Sequence, residues 1–215
     1  MQLKENGLRK LRVNNHKFIY LLSPEKINKN FFINLIEIFK LKKVAMFQLR
    51  LKKENKKKKI LVGKKLRKIC NEYNVKLIIN DDPNLANIIK ADGCHLGQDD
   101  QSIVKAREIL GNKIIGITCH NSINLVLKAK RNGADYIALG AFFKSGTKKV
   151  KYTAKTSLIN KSKILTNLPI VAIGGINNKN FKKLLLHNPD FLAISGYVWN
   201  NKFYNPKKAI TKLNI

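Results

Sequence analysis

Short apolar runs rich in β-branched residues recur along the chain and alternate with longer segments of mixed polarity. Runs of this kind are typical of strands that are buried on both faces of a parallel sheet. The pattern therefore predicts eight β-strands, which are "KFIYLLS" (17–23), "VAMFQLR" (44–50), "VKLIIND" (75–81), "GCHLG" (93–97), "KIIGITC" (113–119), "DYIALG" (135–140), "PIVAIGG" (169–175) and "FLAISGYV" (191–198).

The segments between these runs carry apolar residues at helical spacing. Several begin with Asp, Ser, Thr or Asn, whose side chains accept hydrogen bonds from the free N–H groups of a first helical turn. Examples are "DPNLANIIK" (82–90), "SIVKAREIL" (102–110), "SINLVLKAKRNG" (122–133) and "TSLINKSKIL" (156–165). Eight strands that each precede a helix predict an α/β protein with a single (β/α)₈ TIM barrel. An open doubly wound sheet is the alternative, but no G-x-G-x-x-G follows the first run to support it.

Length and cysteine content refine this prediction. A chain of 215 residues suits one domain, so we predict a single barrel over 1–215 with a basic N-terminal arm at about 1–15. No apolar run approaches the ~20 residues that cross a bilayer, and the first residues lack the apolar centre of a secretory signal. The three cysteines are far apart and form no C-x-x-C motif, so we expect buried thiols and a cytoplasmic location.

The formal net charge of +30 raises the question of a nucleic-acid partner. The excess is almost entirely Lys, with six Arg, and its densest run, "LKKENKKKKI" (51–60), leads into a helical pattern that places most of these lysines in solvent. Basic residues are not interleaved with aromatic residues suited to base stacking. We therefore expect no nucleic-acid partner and keep a basic nucleic-acid-binding module as a distant alternative.

Polar residues gather where the predicted strands end. In a (β/α)₈ barrel these ends meet at one rim, which carries the reacting groups. Carboxylates mixed there with cations and hydroxyls suit Mg²⁺ bound against a phosphate, because this hard cation takes one or two carboxylates together with phosphate oxygens and waters. The rim candidates are Gln48, Arg50 and Lys52, then Asn80 and Asp81, then Gln98, Asp99 and Asp100, then Thr118 and His120, then Ser145, Thr147 and Lys148, and finally Gly174, Gly175, Ser195 and Gly196.

Several of these residues have alternative roles. Gln48, Arg50 and Lys52 share one strand face and bind phosphate or, alternatively, form an internal ion pair. Of the adjacent carboxylates, we assign Asp82 as the cap of the following helix and Asp81 as the metal ligand.

The same ambiguity between cap and metal ligand holds for Asp99 and Asp100. His95 and His120 are either hydrogen-bonding or catalytic histidines. The thiols and the aromatic residues Tyr197 and Trp199 are interpreted as packing groups.

Two glycine-containing strand ends complete the rim. "AIGG" ends the seventh strand and "ISG" the eighth, where barrels commonly bind phosphate with backbone N–H groups. Two phosphate anchors at opposite sides of the rim, with a metal between them, indicate group transfer from a diphosphate ester to a nucleophile carried on a monophosphate.

The ordered series "FQLRLKK", "IINDDPNLA", "ADGCHLGQDD", "IIGITCHN", "ADYIALGAFF", "SGTKK", "VAIGGIN" and "FLAISG" resembles the thiamine phosphate synthase family. The resemblance runs from about Lys17 to the end of the eighth predicted strand. It implies a transferase that joins hydroxymethylpyrimidine diphosphate to a thiazole phosphate and releases pyrophosphate, with Mg²⁺ required.

Site roles follow from this resemblance residue by residue. It implies that Asp81 and Asp100 bind Mg²⁺, and that Arg50, Lys52, Thr118 and Lys148 act on the reacting phosphates. The substrate-binding set that it implies is Gln48, Arg50, Lys52, Asn80, Thr118, Ser145, Gly146, Thr147, Lys148, Gly175, Ser195 and Gly196.

Two positions depart from the family pattern. Leu51 stands where a Glu is common, on what we expect to be the outward strand face, and Thr118 replaces the usual Ser. The related thiazole tautomerase, whose catalytic His corresponds to His120, is the alternative within the superfamily, but it lacks the paired acidic clusters. The sequence leaves open the oligomeric state and the form of the thiazole substrate.

Overall fold

Eight parallel strands form a closed barrel. A computed structural model describes residues 18–144 and 152–214 of the chain. The strands pair in chain order, and β8 returns to β1. Their bounds are β1 Ile19–Leu22, β2 Val44–Leu49, β3 Lys76–Asn80, β4 Gly93–Leu96, β5 Ile114–His120, β6 Tyr136–Gly140, β7 Ile170–Ile173 and β8 Phe191–Ile194. The prediction of a single (β/α)₈ barrel is confirmed.

Helices follow the strands in the described part of the chain. Side chains cap several of them as the sequence predicts; for example, Asp82 accepts from the Leu85 N–H group at 2.8 Å. The helices are α1 Phe31–Phe39, α2 Lys56–Glu72, α3 Pro83–Ile89, α4 Ile103–Leu110, α5 Ile123–Arg131, α6 Ser157–Leu165, α7 Phe181–Leu185, α8 Gly196–Trp199 and α9 Pro206–Thr211.

The apolar residues form two layers. The larger cluster contains residues of both helices and strands, such as Leu35, Phe47 and Leu66, and fills the space between the barrel and its helices. The smaller cluster contains only strand residues, among them Met46 and Val171, and fills the barrel interior. Alternation along each strand produces this division, because successive side chains point to opposite faces.

Three aspartates tie neighbouring strands together at the end of the barrel where strands begin. Asp92, Asp135 and Asp190 precede β4, β6 and β8. Each carboxylate accepts a hydrogen bond of 2.8 Å from a backbone N–H group at the start of the preceding strand. We call this set the basal aspartates. They lie opposite the rim and therefore contribute to stability rather than to the site.

Other predictions are tested by the described residues. Cys70, Cys94 and Cys119 are buried free thiols, and burial raises the pKa of each, that of Cys119 to about 12. No helix among the described residues is long and apolar enough to cross a membrane. The predicted basic arm at about 1–15 lies outside the described residues.

Candidate active site

The end of β2 supplies three polar side chains to the rim. Gln48 is buried inside the barrel, Arg50 is half-buried, and the Lys52 side chain is 54% exposed. The Arg50 backbone N–H group donates to the Ser23 hydroxyl oxygen at 2.9 Å, which fixes the chain at this point. The guanidinium of Arg50 forms no ion pair with any described residue. It is therefore available to an anion at the rim.

Two carboxylates meet beside this strand end. Asp81 and Asp100 lie within hydrogen-bond reach of each other, and the Lys52 ammonium is 2.8 Å from Asp81. Burial raises the pKa of Asp81, but hydrogen bonds from Lys52, Asp100 and Asn80 outweigh it, so the pKa stays below its usual value. Burial and the charge of Asp81 raise the pKa of Asp100, although the Gly97 N–H group opposes this shift.

This pair suits a hard divalent cation. Two carboxylates within hydrogen-bond reach repel each other when both are ionised, and a bound cation relieves this repulsion. Mg²⁺ commonly binds one or two carboxylates and completes its shell with water and phosphate oxygens. No group of three or more His, Cys, Asp or Glu side chains suited to a metal occurs among the described residues. The rim therefore fits an ion that relies on its substrate for further ligands.

The neighbouring acids have other positions. Asp82 caps α3, which confirms its predicted role. Of the two roles left open for Asp99 and Asp100, the helix cap is excluded for both, because Ser102 is the cap of α4 and accepts from the Lys105 N–H group at 3.3 Å. Asp99 is exposed beside the site. Asp100 instead accepts from the Gly97 N–H group at 2.6 Å, which orients its carboxylate within the loop.

A chain of hydrogen bonds crosses the barrel interior below the rim. The Gln48 amide nitrogen donates to the Tyr20 hydroxyl at 2.7 Å, and the hydroxyls of Tyr20 and Tyr136 are 2.9 Å apart. The Tyr136 hydroxyl lies 2.8 Å from Nδ1 of His95, whose Nε2 lies 2.9 Å from the Thr118 hydroxyl. We call these five side chains the interior chain. It connects Gln48 on β2 with Thr118 on β5.

Packing holds this chain in place. Burial lowers the pKa of His95 to about 4, so its imidazole is neutral and hydrogen-bonded. A Cβ atom at Gly116 would come within 1.9 Å of the Tyr136 ring, so only glycine leaves room for this ring. The Gln98 amide donates to the Thr118 carbonyl at 2.5 Å and fixes the other end.

Backbone N–H groups gather at the ends of β7 and β8. Within the described residues, the N–H groups of Gly175, Ser195 and Gly196 donate to no backbone acceptor. The Ser195 hydroxyl donates to the Ser23 carbonyl at 3.2 Å. Ser23 therefore contacts both the residue after β8 and Arg50 after β2. The expectation that the phosphate anchors stand at opposite sides is wrong for Ser195, because only β1 separates β2 from β8.

Gly175 also supports the loop that follows β6. It has a φ of +63°, and a Cβ atom there would approach the Lys144 carbonyl oxygen to 2.3 Å. The predicted site residues Ser145, Gly146, Thr147 and Lys148 lie outside the described residues. Beyond them, Tyr152 packs against His120, with the two rings tilted by 40° and their centroids 4.6 Å apart. This contact gives His120 a packing role at the rim.

Leu51 lines a cleft beside Asp81. Its side chain is buried in the layer between strands and helices, which agrees with the expected outward face. The cleft has a volume of about 220 Å³, and its lining also includes Lys52, Lys59, Asn80 and Asp81. Where the family pattern commonly has a Glu, this chain therefore has an apolar side chain next to Lys52.

Sequence reasoning did not identify Tyr20, Tyr136 and Ser23 as part of the site. The two tyrosines lie in apolar runs, where a phenol ring is indistinguishable from a packing residue. Their positions on the inward faces of β1 and β6 are the signal that the sequence offers. Ser23 directly follows β1, so a search of every strand end would have included it.

Comparison with known proteins gives one consistent result. A family model described as thiamine monophosphate synthase matches residues 19–198. A thiamine-phosphate synthase of Pelagibacter ubique is 58% identical over 200 residues, which cover 93% of this chain and 97% of that protein. One of Picrophilus torridus is 36% identical over 89% of this chain and 92% of that protein.

Solved structures agree with this match. The thiamine phosphate pyrophosphorylase from Pyrococcus furiosus superposes with a TM-score of 0.83 and is 28% identical, covering 95% of this chain and 96% of that chain. The 3-hexulose-6-phosphate synthase from Salmonella typhimurium has a TM-score of 0.65 at 14% identity over 91% of this chain and 96% of that chain, so it shares the fold alone.

Proposed function

The chain belongs to the thiamine monophosphate synthase family, and on that premise we propose how its rim forms thiamine phosphate. The enzyme is a transferase. It joins hydroxymethylpyrimidine diphosphate to hydroxyethylthiazole phosphate and releases pyrophosphate. The observation that carries this assignment is the meeting of Asp81, Asp100 and Lys52 at the rim, two positions after Arg50, whose guanidinium forms no ion pair with a described residue.

The end of β2 binds the diphosphate. Arg50 supplies a planar cation suited to two phosphate oxygens, and Lys52 supplies a second cation, which also forms the ion pair with Asp81. Gln48 contacts the pyrimidine from the barrel interior, and Asn80 stands beside the diphosphate. These cations screen the negative charge that develops on the leaving pyrophosphate.

Asp81 and Asp100 would hold Mg²⁺. When bound, the ion neutralises the diphosphate and makes it a better leaving group. Both carboxylates are fixed before any ligand arrives, Asp81 by Lys52 and Asp100 by the Gly97 N–H group. Such fixed ligands lower the reorganisation needed when the metal and its substrate bind.

The ends of β7 and β8 bind the monophosphate of the thiazole. The N–H groups of Gly175, Ser195 and Gly196 lie at the strand ends where barrels commonly hold phosphate. The family resemblance assigns Ser145, Gly146 and Thr147 to the same phosphate and Lys148 to the departing diphosphate, and these four residues lie outside the described part of the chain.

The protein positions its substrates and supplies no nucleophilic side chain. The bond between the pyrimidine methylene carbon and the diphosphate oxygen breaks first, so that the electron pair leaves with pyrophosphate and the pyrimidine remains as a stabilised cation. The thiazole ring nitrogen then donates its electron pair to the methylene carbon. Thr118 holds the pyrimidine at the far end of the interior chain. The three thiols are buried, so they take no part and remain reduced in the cytoplasm, where the enzyme works.

A direct assay tests this function. Purified protein with both phosphorylated substrates and Mg²⁺ should release pyrophosphate and form thiamine phosphate in equal amounts, and it should form neither when one substrate is omitted. A folded protein that forms no thiamine phosphate under these conditions would refute the assignment. Isomerisation of a thiazole carboxylate phosphate without pyrimidine would indicate the tautomerase instead.

Arg50→Met tests the diphosphate site within the same assay. We expect KM for the pyrimidine diphosphate to rise about tenfold or more, because a charge-assisted hydrogen bond contributes ~1.5–3 kcal/mol. KM for the thiazole phosphate should change little. Lys53→Met is the matched control, since Lys53 is an exposed cation three positions along that forms no ion pair with a described residue. Equal effects of the two substitutions would contradict a specific role for Arg50.

A further inference from the structure

Ser23, the residue directly after β1, uses its side chain where a strand normally uses its backbone. The Ser23 N–H group continues the ladder between β1 and β2 and donates to the Gln48 carbonyl at 2.8 Å. The next bond of a regular parallel ladder would run from the Arg50 N–H group to the Ser23 carbonyl. Instead, this N–H group donates to the Ser23 hydroxyl oxygen at 2.9 Å and to no backbone acceptor among the described residues. The hydroxyl therefore replaces the carbonyl at the last bond of the ladder.

The carbonyl that is released in this way holds the residue after β8. It accepts from the Ser195 hydroxyl at 3.2 Å. Ser195 is the cap residue of α8, but its side chain forms no capping bond to that helix. The directions of these bonds are fixed, because a backbone N–H group only donates and a carbonyl only accepts. The Ser195 hydroxyl thus gives its one hydrogen to Ser23 and has none to donate to a bound phosphate.

The position of Ser23 makes this arrangement exclusive. Arg50 follows β2 and Ser195 follows β8, and these two strands lie on opposite sides of β1. One carbonyl cannot point to both sides, so the hydroxyl is needed for one of the two partners. Only 4% of Ser23 is exposed, so water does not readily replace a lost partner.

We propose that Ser23 is a positioning residue that couples the two phosphate sites of the rim: its hydroxyl fixes Arg50, and its carbonyl fixes Ser195. The identity of the two ligands, the diphosphate at Arg50 and the thiazole phosphate at Ser195, rests on the proposed function, whereas the exchange of carbonyl for hydroxyl does not. No other described residue shares hydrogen bonds with both Arg50 and Ser195. Loss of this one hydroxyl returns the carbonyl to β2 and releases Ser195, so both sites change together.

A crystal structure of Ser23→Ala tests the exchange without any substrate. We expect the carbonyl oxygen of residue 23 to lie about 2.9 Å from the Arg50 backbone nitrogen, the usual N–H···O distance, and beyond hydrogen-bond reach of the Ser195 hydroxyl. A carbonyl that still accepts from Ser195 would overturn the proposal. This result stands whether or not the protein forms thiamine phosphate.

Steady-state kinetics test the coupling. Ser23→Ala should raise KM for both substrates about fivefold, since a neutral hydrogen bond changes an equilibrium constant by roughly two- to tenfold. Ser23→Thr keeps the hydroxyl and should restore both values. Ser162→Ala is the matched control, because it removes a fully buried hydroxyl that has no hydrogen-bond partner among the described residues. A rise in only one KM in Ser23→Ala, or equal rises in Ser162→Ala, would contradict the coupling.

A double-mutant cycle separates this coupling from general damage to the barrel. Ser195→Ala should raise KM for the thiazole phosphate alone. Added to Ser23→Ala, it should raise that KM no further, because the bond that it removes is already lost. Additive effects of the two substitutions would overturn the proposal.

Two further outcomes are covered by the same design. If Ser23→Ala does not fold, Ser23→Cys replaces it throughout, because a thiol is a weaker acceptor than a hydroxyl. If folded wild-type protein forms no thiamine phosphate, the proposed function fails, and the crystal structure still decides the exchange at Ser23.

Discussion

Two adjacent carboxylates show how backbone conformation separates roles at the scale of a residue. Asp81 has a φ of +63°, a left-handed conformation that Asp tolerates better than most residues, whereas Asp82 is extended at −125°. The turn between them directs Asp81 toward Asp100 and leaves Asp82 at the start of α3.

Removing charge at these positions should separate catalysis from folding. We expect Asp81→Asn and Asp100→Asn each to lower kcat by about a hundredfold or more, or ~2.7 kcal/mol, and to raise the Mg²⁺ concentration for half-maximal rate. Asp82→Asn should change little, because Asn caps a helix about as well as Asp. A Mg²⁺ titration of the initial rate measures all three, with thermal melting as the control for folding. A large loss of rate in Asp82→Asn, together with an unchanged rate in Asp81→Asn, would show that Asp82 and not Asp81 is the metal ligand.

Gly175 offers a second prediction at this scale. An added Cβ atom would collide with the Lys144 carbonyl oxygen as well as adopt a left-handed conformation. We therefore expect Gly175→Ala to displace the segment after β6, raise KM for the thiazole phosphate and lower the melting temperature. A larger side chain such as Val would add further collisions and would not report on phosphate binding alone.

Gly133→Ala is the matched control, because it introduces backbone strain without a collision. Gly133 also has a positive φ, +78°, but a Cβ atom there would meet nothing within 4 Å. It should cost only the ~1–2 kcal/mol of a left-handed residue and leave both KM values unchanged. Equal melting temperatures and equal kinetics for the two variants would show that the Lys144 contact is unimportant.

The sequence indicates charged site residues better than neutral ones. Arg50, Lys52, Asp81 and Asp100 interrupt apolar runs or end them, so the cost of burying a charge without a partner marks them. The hydroxyl of Tyr136 leaves no such mark, because most of its side chain is apolar. Its partner His95 lies 41 positions away, and only the strand register brings the two together.

At the scale of elements, the basal aspartates explain how strands stay in register. Asp135 precedes β6, accepts from the Ile115 N–H group of β5 at 2.8 Å, and contacts Arg107 of α4 at 2.7 Å. One carboxylate thus holds two strands and a helix. Neither partner is identifiable from the sequence, whereas the strands and helices themselves follow from periodicity and capping residues.

Asp135→Ala should therefore weaken the barrel without affecting its site. We expect the free energy of unfolding to fall by ~2–3 kcal/mol, since a buried N–H group and a partly buried guanidinium lose their acceptor. Urea denaturation measures this loss, and kcat and both KM values should remain at wild-type levels. Glu108→Ala removes an exposed acid from the same helix and is the control. A comparable loss in that variant, or a changed KM in Asp135→Ala, would contradict the basal role.

At the scale of the whole molecule, the net charge of +30 surrounds a site for anionic substrates. The N-terminal end of α2 adjoins the rim and carries Lys56, Lys57, Lys58 and Lys59. Charges that are exposed in this way attract anions over about one Debye length, ~8–10 Å at physiological salt. We therefore expect the excess of lysine to act on the association of substrates rather than on the fold.

Salt should reveal this contribution. We expect kcat/KM for both substrates to fall about tenfold as NaCl rises from roughly 50 to 500 mM at saturating Mg²⁺, with kcat nearly constant. Lys57→Glu should weaken the salt dependence, whereas Lys128→Glu, near the end of α5 away from the rim, should not. A flat kcat/KM across this range would show that the charge does not assist binding.

The barrel can close only after its last strand has been synthesised. Ile19 of the first strand pairs with Leu192 of the last, so β1 has no partner on that side until nearly the whole chain exists. At ribosomal rates of ~5–20 residues per second, that wait is on the order of ten to thirty seconds. During this time the growing chain exposes an unpaired strand edge, which is a template for mispairing with other chains. A nascent copy of this enzyme is therefore expected to depend on chaperones more than its finished barrel does.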